Sequence, residues 1–281
     1  MAYGFIPETR NLIRALAASA FTVSSGPSDS TRAYLNDKRI DKQYALISTT
    51  TGITIDIDLG SAQAVDTAAI LNHNFQSVGA GTKSISVTGA DNSGFSVNAV
   101  VCATATLDTT TSRPKDTCAS WASVTRRYWR FTFSWTGGGS AALNIGELVL
   151  GAATTLSRGE QDGSGETERV RAPTVELSNG GSRGIFIAGP VLTRNLIFSD
   201  FSEAQRDTLR TMWRDCRGPV VPVLWCESWA ATATTATPSA AQQQCLYGHL
   251  EMPDFAWRWS DWQLVKPPDL IIRSQGREVG A

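Results

Sequence analysis

Isoleucine at positions 53, 55 and 57, followed by Leu59, alternates with single polar residues. Apolar side chains at every second position share one face only in an extended chain. Residues 52–60 therefore predict a half-buried antiparallel strand. The alternation returns with larger side chains further on: Trp129, Phe131, Phe133 and Trp135 on one face, Tyr128, Arg130, Thr132 and Ser134 on the other. Similar segments lie around Ile70, residues 85–87, 95–101 and 148–150, punctuated by Gly, Asn and Ser. Regular short strands with such turns predict a sandwich or jelly roll.

Composition limits the partners. The chain has 281 residues, enough for one large or two ordinary domains, and a formal net charge of -1 with acids and bases interspersed. No field of one sign exists to hold a phosphate backbone, so nucleic acid is not an expected partner. No apolar run approaches the roughly 18 residues that a membrane span needs. Asn11 to Ala20 imitates the end of a signal peptide, but Arg14 interrupts its apolar run and Glu8 stands where a basic region belongs. A cleaved leader is not expected.

Five cysteines without a C-x-x-C pair do not form a disulfide framework. Reduced thiols are the expectation, with a Cys102–Cys118 bridge as the alternative in an oxidising setting.

The chain changes character near Leu156. Residues 158–169 offer no apolar side chain to bury and contain three glycines, which predicts a linker or exposed loop over 152–170. Beyond it, residues 175–177, 184–187 and 192–198 are strand-like. A helix follows: Ser202 and Gln205 form a capping box, Leu209, Met212, Trp213 and Cys216 fall near one face, and Gly218-Pro219 stops it. Residues 220–225 predict a strand that Pro222 would place at a sheet edge. Strands at 245–250 and 256–265 complete a ββαββ order. The expected organisation is mainly β: a jelly roll over 1–151, then an α+β domain over 171–281.

That second domain contains an uncharged Ala/Thr-rich loop over 230–244, far longer than a usual hairpin connection of about 2–5 residues. It is either a floppy loop or an arm ordered by a neighbouring subunit. On the second reading Thr234, Thr235 and Pro238 are interface candidates, as is Trp262, which takes the face opposite Trp257 and Trp259.

Catalytic patterns fail on context. Gly180-Gly181-Ser182-Arg183-Gly184 matches G-x-S-x-G, with Asp200 and His249 following, but a nucleophile elbow needs a strand before the serine and a helix after it. Asp56 and Asp58 share a strand face roughly 6–7 Å apart, yet a glycosidase needs its two carboxyls in contrasting surroundings. Cys245 and His249 would lie about 13 Å apart along a strand, too far to share a metal ion. No catalytic residue, metal or cofactor is expected. Trp121, in an expected loop, is the candidate ligand contact, with Arg126 and Arg127 beside it.

Two resemblances add to this. The segment Asp56-Ile57-Asp58-Leu59-Gly60, Val65-Asp66 with Ala69-Ile70-Leu71, Arg127-Tyr128-Trp129-Arg130, and the closing Gly146-Glu147-Leu148-Val149-Leu150-Gly151 resemble a discoidin (factor 5/8 type C, galactose-binding-like) domain. The resemblance implies an eight-stranded jelly roll whose end loops bind carbohydrates, lipids or proteins.

The second half, through Arg194-Asn195-Leu196-Ile197-Phe198, Ser202 to Leu209, Trp213 and Gly218-Pro219-Val220-Val221-Pro222-Val223, resembles distal-tail proteins of long-tailed bacteriophages. This implies a structural virion protein at the tail tip, assembled in the bacterial host cytoplasm. It would form a ring with copies of itself, a hexamer before a trimer, contact tail-tube and hub proteins, and carry a jelly roll that packs or adheres to host surface carbohydrate. The alternative is a carbohydrate-binding adhesin module without a ring role.

Overall fold

The computed structural model describes residues 3–24, 30–37, 42–48, 51–75, 78, 81–106, 115–137, 141–156, 165–170, 174–176, 183–185, 190–197, 202–226, 235–236, 245–251, 258–261, 264–266 and 270–274. The protein is mainly β, with a single α-helix among the described residues.

The alternating segments form the first large sheet as expected. Two long strands dominate it, Gly52–His73 and Lys115–Trp135, paired antiparallel with Ile53 opposite Phe133 and Ile57 opposite Trp129. Register shifts between Asp58 and Gln63, Val65 and Thr67, and Ile70 and His73 bend the pair. Each strand thus serves two regions of the sheet. Phe21–Val23 pairs with the first half of Gly52–His73, and Glu147–Gly151 with the second. Lys83–Ala90 and Val100–Thr106 extend the sheet on the other side. Phe95 lies in the turn before that last strand, where the sequence pattern had suggested strand.

The inward row of this sheet meets the antiparallel pair of Tyr44–Ser48 and Ala141–Ile145. Ile53, Ile55, Trp129, Phe131 and Phe133 are buried in one cluster with Tyr44, Leu46, Leu143 and Ile145. The result is a β-sandwich with a dry aromatic core. Phe75 meets Phe133 edge to face at 5.3 Å, an arrangement favoured by the ring quadrupoles.

The second sheet crosses the expected domain boundaries. Its order is Thr154–Leu156, Tyr3–Pro7, Pro222–Cys226, Cys245–Glu251, Leu270–Ser274, Pro190–Leu196, Gly165–Val170, all antiparallel. The N-terminal strand therefore joins the sheet of the second half, and the expected linker region contributes two strands. Tyr3–Pro7 also corrects the edge position expected for Pro222. The strand Pro222–Cys226 is interior, and Pro222 is tolerated as its first residue.

Helix Glu203–Asp215 packs on one face of this sheet. Ser202 Oγ accepts from the Gln205 N–H and the Gln205 side chain accepts from the Ser202 N–H, the capping box read from the sequence. Leu209, Met212 and Cys216 are buried with Phe5, Val223 and Trp225, and Trp213 packs at their margin. Gly218, at φ +64 with a hydrogen bond back to the Trp213 carbonyl, ends the helix.

The opposite face of the sheet, through Ile6, Leu224, Cys226 and Tyr247, lies against Ala69, Leu71 and Val149 of the sandwich. A polar seam runs along this contact. Tyr247 donates to Glu8 at 3.0 Å, while Asn11 donates to the Leu148 carbonyl and accepts from the Leu150 N–H. The sandwich and the second sheet are thereby one packed unit.

Part of the Ala/Thr-rich loop is also placed. Thr235–Ala236 pairs in parallel with Thr104 and Ala105, adding backbone to the edge of the sandwich sheet. Thr234, Pro238 and Trp262 lie outside the described residues, as does Ser182. Among the described residues no helix is long and apolar enough to cross a membrane.

Candidate functional site

The outward row of the sandwich sheet carries a polar surface. Thr22, Asp56, Arg130, Thr88 and Val101 are successive register partners across five strands, and Asp58 and Tyr128 are partners in the next row. The alternation that buries Ile55 and Ile57 necessarily turns Asp56 and Asp58 outward. Opposite them, the alternation that buries Trp129 presents Tyr128 and Arg130.

Each aspartate is held by a two-pronged arginine. Arg130 donates to Asp56 through Nε at 2.6 Å and Nη2 at 2.7 Å. Arg127 donates to Asp58 through Nε at 2.7 Å and Nη2 at 2.8 Å. Such paired, charge-assisted contacts fix both side chains in position. Arg127 holds the Asp58 carboxyl below the usual carboxylate value against the opposing effect of burial, and the Gly60 N–H adds to the lowering.

These pairs border an open groove of about 390 Å³ lined by Thr22, Asp56, Asp58, Ser93, Phe95 and Tyr128, among others. Phe95 forms its aromatic wall. Its ring stands over the Arg130 guanidinium at 4.0 Å, and the Arg127 guanidinium lies 4.9 Å from the Tyr128 ring.

Phe95 is held there at a cost. Its φ of +52° lies in the left-handed region, which a bulky side chain rarely adopts. The surrounding turn imposes it: Asn92 Oδ1 accepts from the N–H groups of Ser96 and Val97, and Asn98 donates to Asp91. Strain maintained by a dedicated hydrogen-bonded turn is characteristic of recognition sites. Val97, Val100 and Val101 are exposed close by in sequence, giving the same end of the sheet an apolar margin.

The groove differs from the site expected from the sequence. Trp121 is not in a loop but on the Lys115–Trp135 strand. It is 3% exposed, donates its indole N–H to the Val65 carbonyl at 3.1 Å and stacks against Trp129. No surface of it remains for a ligand, which corrects its assignment as a contact. Arg126 is turned to the Asp91–Asn98 turn, donating to the Asn98 carbonyl at 3.1 Å. Arg127 reaches the groove only through its two bonds to Asp58, which lines it.

Phe95, Tyr128 and the Asp56–Arg130 pair were not identified from the sequence as a site. The available signal was the pairing of Asp56-Ile57-Asp58 with Tyr128-Trp129-Arg130 in one register, together with the Asp91-Asn92-Ser93-Gly94 turn before an aromatic residue.

The geometry disfavours acid–base chemistry at these aspartates. A general acid must hold its proton near neutral pH. Asp58 is shifted in the opposite direction, and Asp56 is bound on both oxygens by Arg130. Among the described residues no group of three or more His, Cys, Asp or Glu side chains is arranged to hold a metal ion.

No family model matches the chain, and no curated protein matches it. Several solved structures are similar. The chitosan-binding module 1 of a chitosanase/glucanase from Paenibacillus sp. IK-5 is 19% identical with a TM-score of 0.37, covering 52% of this chain and 99% of that one. The CBM32 of AlyQ, solved with 4,5-unsaturated mannuronic acid, is 20% identical with a TM-score of 0.35, covering 47% and 92%. A CBM32 module from Clostridium perfringens, solved with GalNAc-β-1,3-galactose, is 14% identical with a TM-score of 0.36, covering 49% and 99%. At these values none of their ligands transfers to the present chain.

Proposed function

We propose that the protein is a non-catalytic binding protein whose sandwich groove takes a carbohydrate. The observation that carries this reading is the Phe95 wall, held in strained backbone over the Arg130–Asp56 pair. A sugar presents hydroxyls to charged, fixed hydrogen-bonding groups and an apolar ring face to an aromatic side chain. Asp56, Asp58 and Tyr128 supply the first, and Phe95 the second. The wide opening suits a residue of a surface glycan rather than a fully enclosed small molecule. Screening the purified chain on a glycan array tests this: binding to a defined set of sugars is expected, and silence across the array contradicts it.

The wider setting we propose is a phage tail tip, with the discoidin-like jelly roll as the accessory module. The support is the second-half resemblance, whose capped helix at Glu203–Asp215 and following strand at Pro222–Cys226 are the elements that the sequence pattern names. Copies of the chain would form a ring and meet tube and hub proteins. Electron microscopy of the concentrated protein tests that part separately: closed rings are expected, and a strictly monomeric protein contradicts it.

A further inference from the structure

Three of the five cysteines meet where the sandwich rests on the second sheet. Cys226 and Cys245 are direct partners in antiparallel register. Cys118, on the Lys115–Trp135 strand, packs with Cys226 and Cys245 in the cluster that holds Ile6, Leu71 and Tyr247. All are free thiols, with Cys118 and Cys245 half-buried and Cys226 buried.

Two prolines settle the type of the Cys226–Cys245 pair. Pro7 opposes Val223 and Pro222 opposes His249, and neither proline has an N–H to donate. Both are accommodated when Val223 directs its backbone groups to Gly248 rather than to Pro7. Counting along the ladder, Trp225 then bonds Leu246, and Cys226 faces Cys245 as a non-hydrogen-bonded pair. Cα atoms in such a pair lie about 4.5 Å apart, within the roughly 4.4–6.8 Å that a disulfide spans.

The three sulfurs are unequal. Hydrogen bonds from Cys226 and then Cys245 draw Cys118 down to about 5. Burial raises Cys226, and the hydrogen bond with Cys118 raises Cys245. The remaining two cysteines are inert by comparison, since burial raises Cys102 and pushes Cys216 up to about 12.

We propose that Cys118, Cys226 and Cys245 form a thiol–disulfide exchange site that reacts with low-molecular-weight disulfides of the glutathione class and ends as a Cys226–Cys245 cross-strand disulfide. The Cys118 thiolate attacks one sulfur of the incoming disulfide; that S–S bond breaks and a first small thiolate departs. Cys245 then attacks the Cys118 sulfur, expelling the second small thiolate, which takes the Cys245 proton. Cys226 attacks the Cys245 sulfur, Cys118 leaves as thiolate, and the Cys226 proton goes to the first small thiolate. Two protein thiols are oxidised, one small disulfide is reduced to two thiols, and Cys118 is regenerated. The last step follows from leaving-group chemistry, because Cys118, the most acidic of the three thiols, is expelled most readily. The site is independent of the carbohydrate groove.

The test uses the native full chain incubated with oxidised glutathione, quenched with acid, unfolded and labelled with iodoacetamide. Labelled thiols are expected to fall from five to three as two are joined, with peptide mapping linking Cys226 to Cys245. Cys118→Ser is expected to slow the loss on the order of tenfold or more, and Cys102→Ser to leave it unchanged. Five labelled thiols after prolonged exposure overturn the proposal. So do oxidation at Cys102 or Cys216, or a Cys118 mixed disulfide as the final product. If Cys118→Ser fails to fold, mapping of the unmodified sequence decides alone.

Discussion

Arg130 grips Asp56 across two neighbouring strands, Nε to Oδ1 at 2.6 Å and Nη2 to Oδ2 at 2.7 Å. Both side chains are more than two-thirds buried, at 31% and 23% exposed. The pair is therefore less screened than an ordinary surface bridge, and it braces both the sheet and the groove. Arg130→Leu leaves Asp56 without its partner and removes the platform under Phe95. A loss of about 1–2 kcal/mol is expected in urea unfolding, after allowance for solvent screening. A change within about 0.3 kcal/mol contradicts a structural role for the pair.

Asp58 gives a pH signature. Its folded-state pKa is lowered by Arg127, so its stabilising effect is fully present above the unfolded value of about 4 and is lost as pH falls through the folded value. Melting temperatures of the unaltered protein and Asp58→Asn should therefore differ near neutrality and converge as pH drops well below 4. A difference that persists unchanged at the lowest pH contradicts this assignment.

Trp121 separates core from site. Trp121→Phe removes the indole donor to the Val65 carbonyl and is expected to cost about 1–3 kcal/mol. Because Trp121 is buried, glycan affinity should be unaltered. Calorimetric titration showing weakened binding at unchanged fold would return Trp121 to the site.

Ser202→Ala tests the helix start. Loss of the hydrogen bond that Ser202 Oγ accepts from the Gln205 N–H should cost about 1 kcal/mol in denaturant unfolding. The glycan site, built from residues of other elements, should be unaffected. No measurable change would mean that packing of Leu209 and Met212 alone holds this helix end.

Much of the fold was legible because strict alternation admits one geometry. Ile53 to Ile57 and Trp129 to Trp135 formed strands as read, and Ser202 with Gln205 capped the helix. The Tyr3–Pro7 strand was not legible. Five residues carry little periodicity, and its partners, Pro222–Cys226 and Thr154–Leu156, lie far away in sequence. The same absence misplaced Pro222 at an edge. Residues 154–156 and 165–170, at the two edges of the sheet, were hidden by their polar composition.

The site was partly legible. Alternation showed that Asp56, Asp58, Tyr128 and Arg130 turn outward, but not that they oppose one another, because register between distant strands is set by the whole sheet. Trp121 was misjudged because its small flanks, Ser120 and Ala122–Ser123, read as loop, whereas the bent strand carries it into the core. Phe95 was read as strand because its left-handed backbone comes from the Asn92 side chain, a contact that no periodicity reveals.

The most direct measurement is calorimetric titration of an array-identified glycan into the unaltered protein and into Phe95→Gly. Glycine deletes the aromatic wall while relieving the positive φ, so stability should hold as affinity falls on the order of tenfold or more. Equal affinity in the two proteins, with both folded, would contradict the groove as the carbohydrate site.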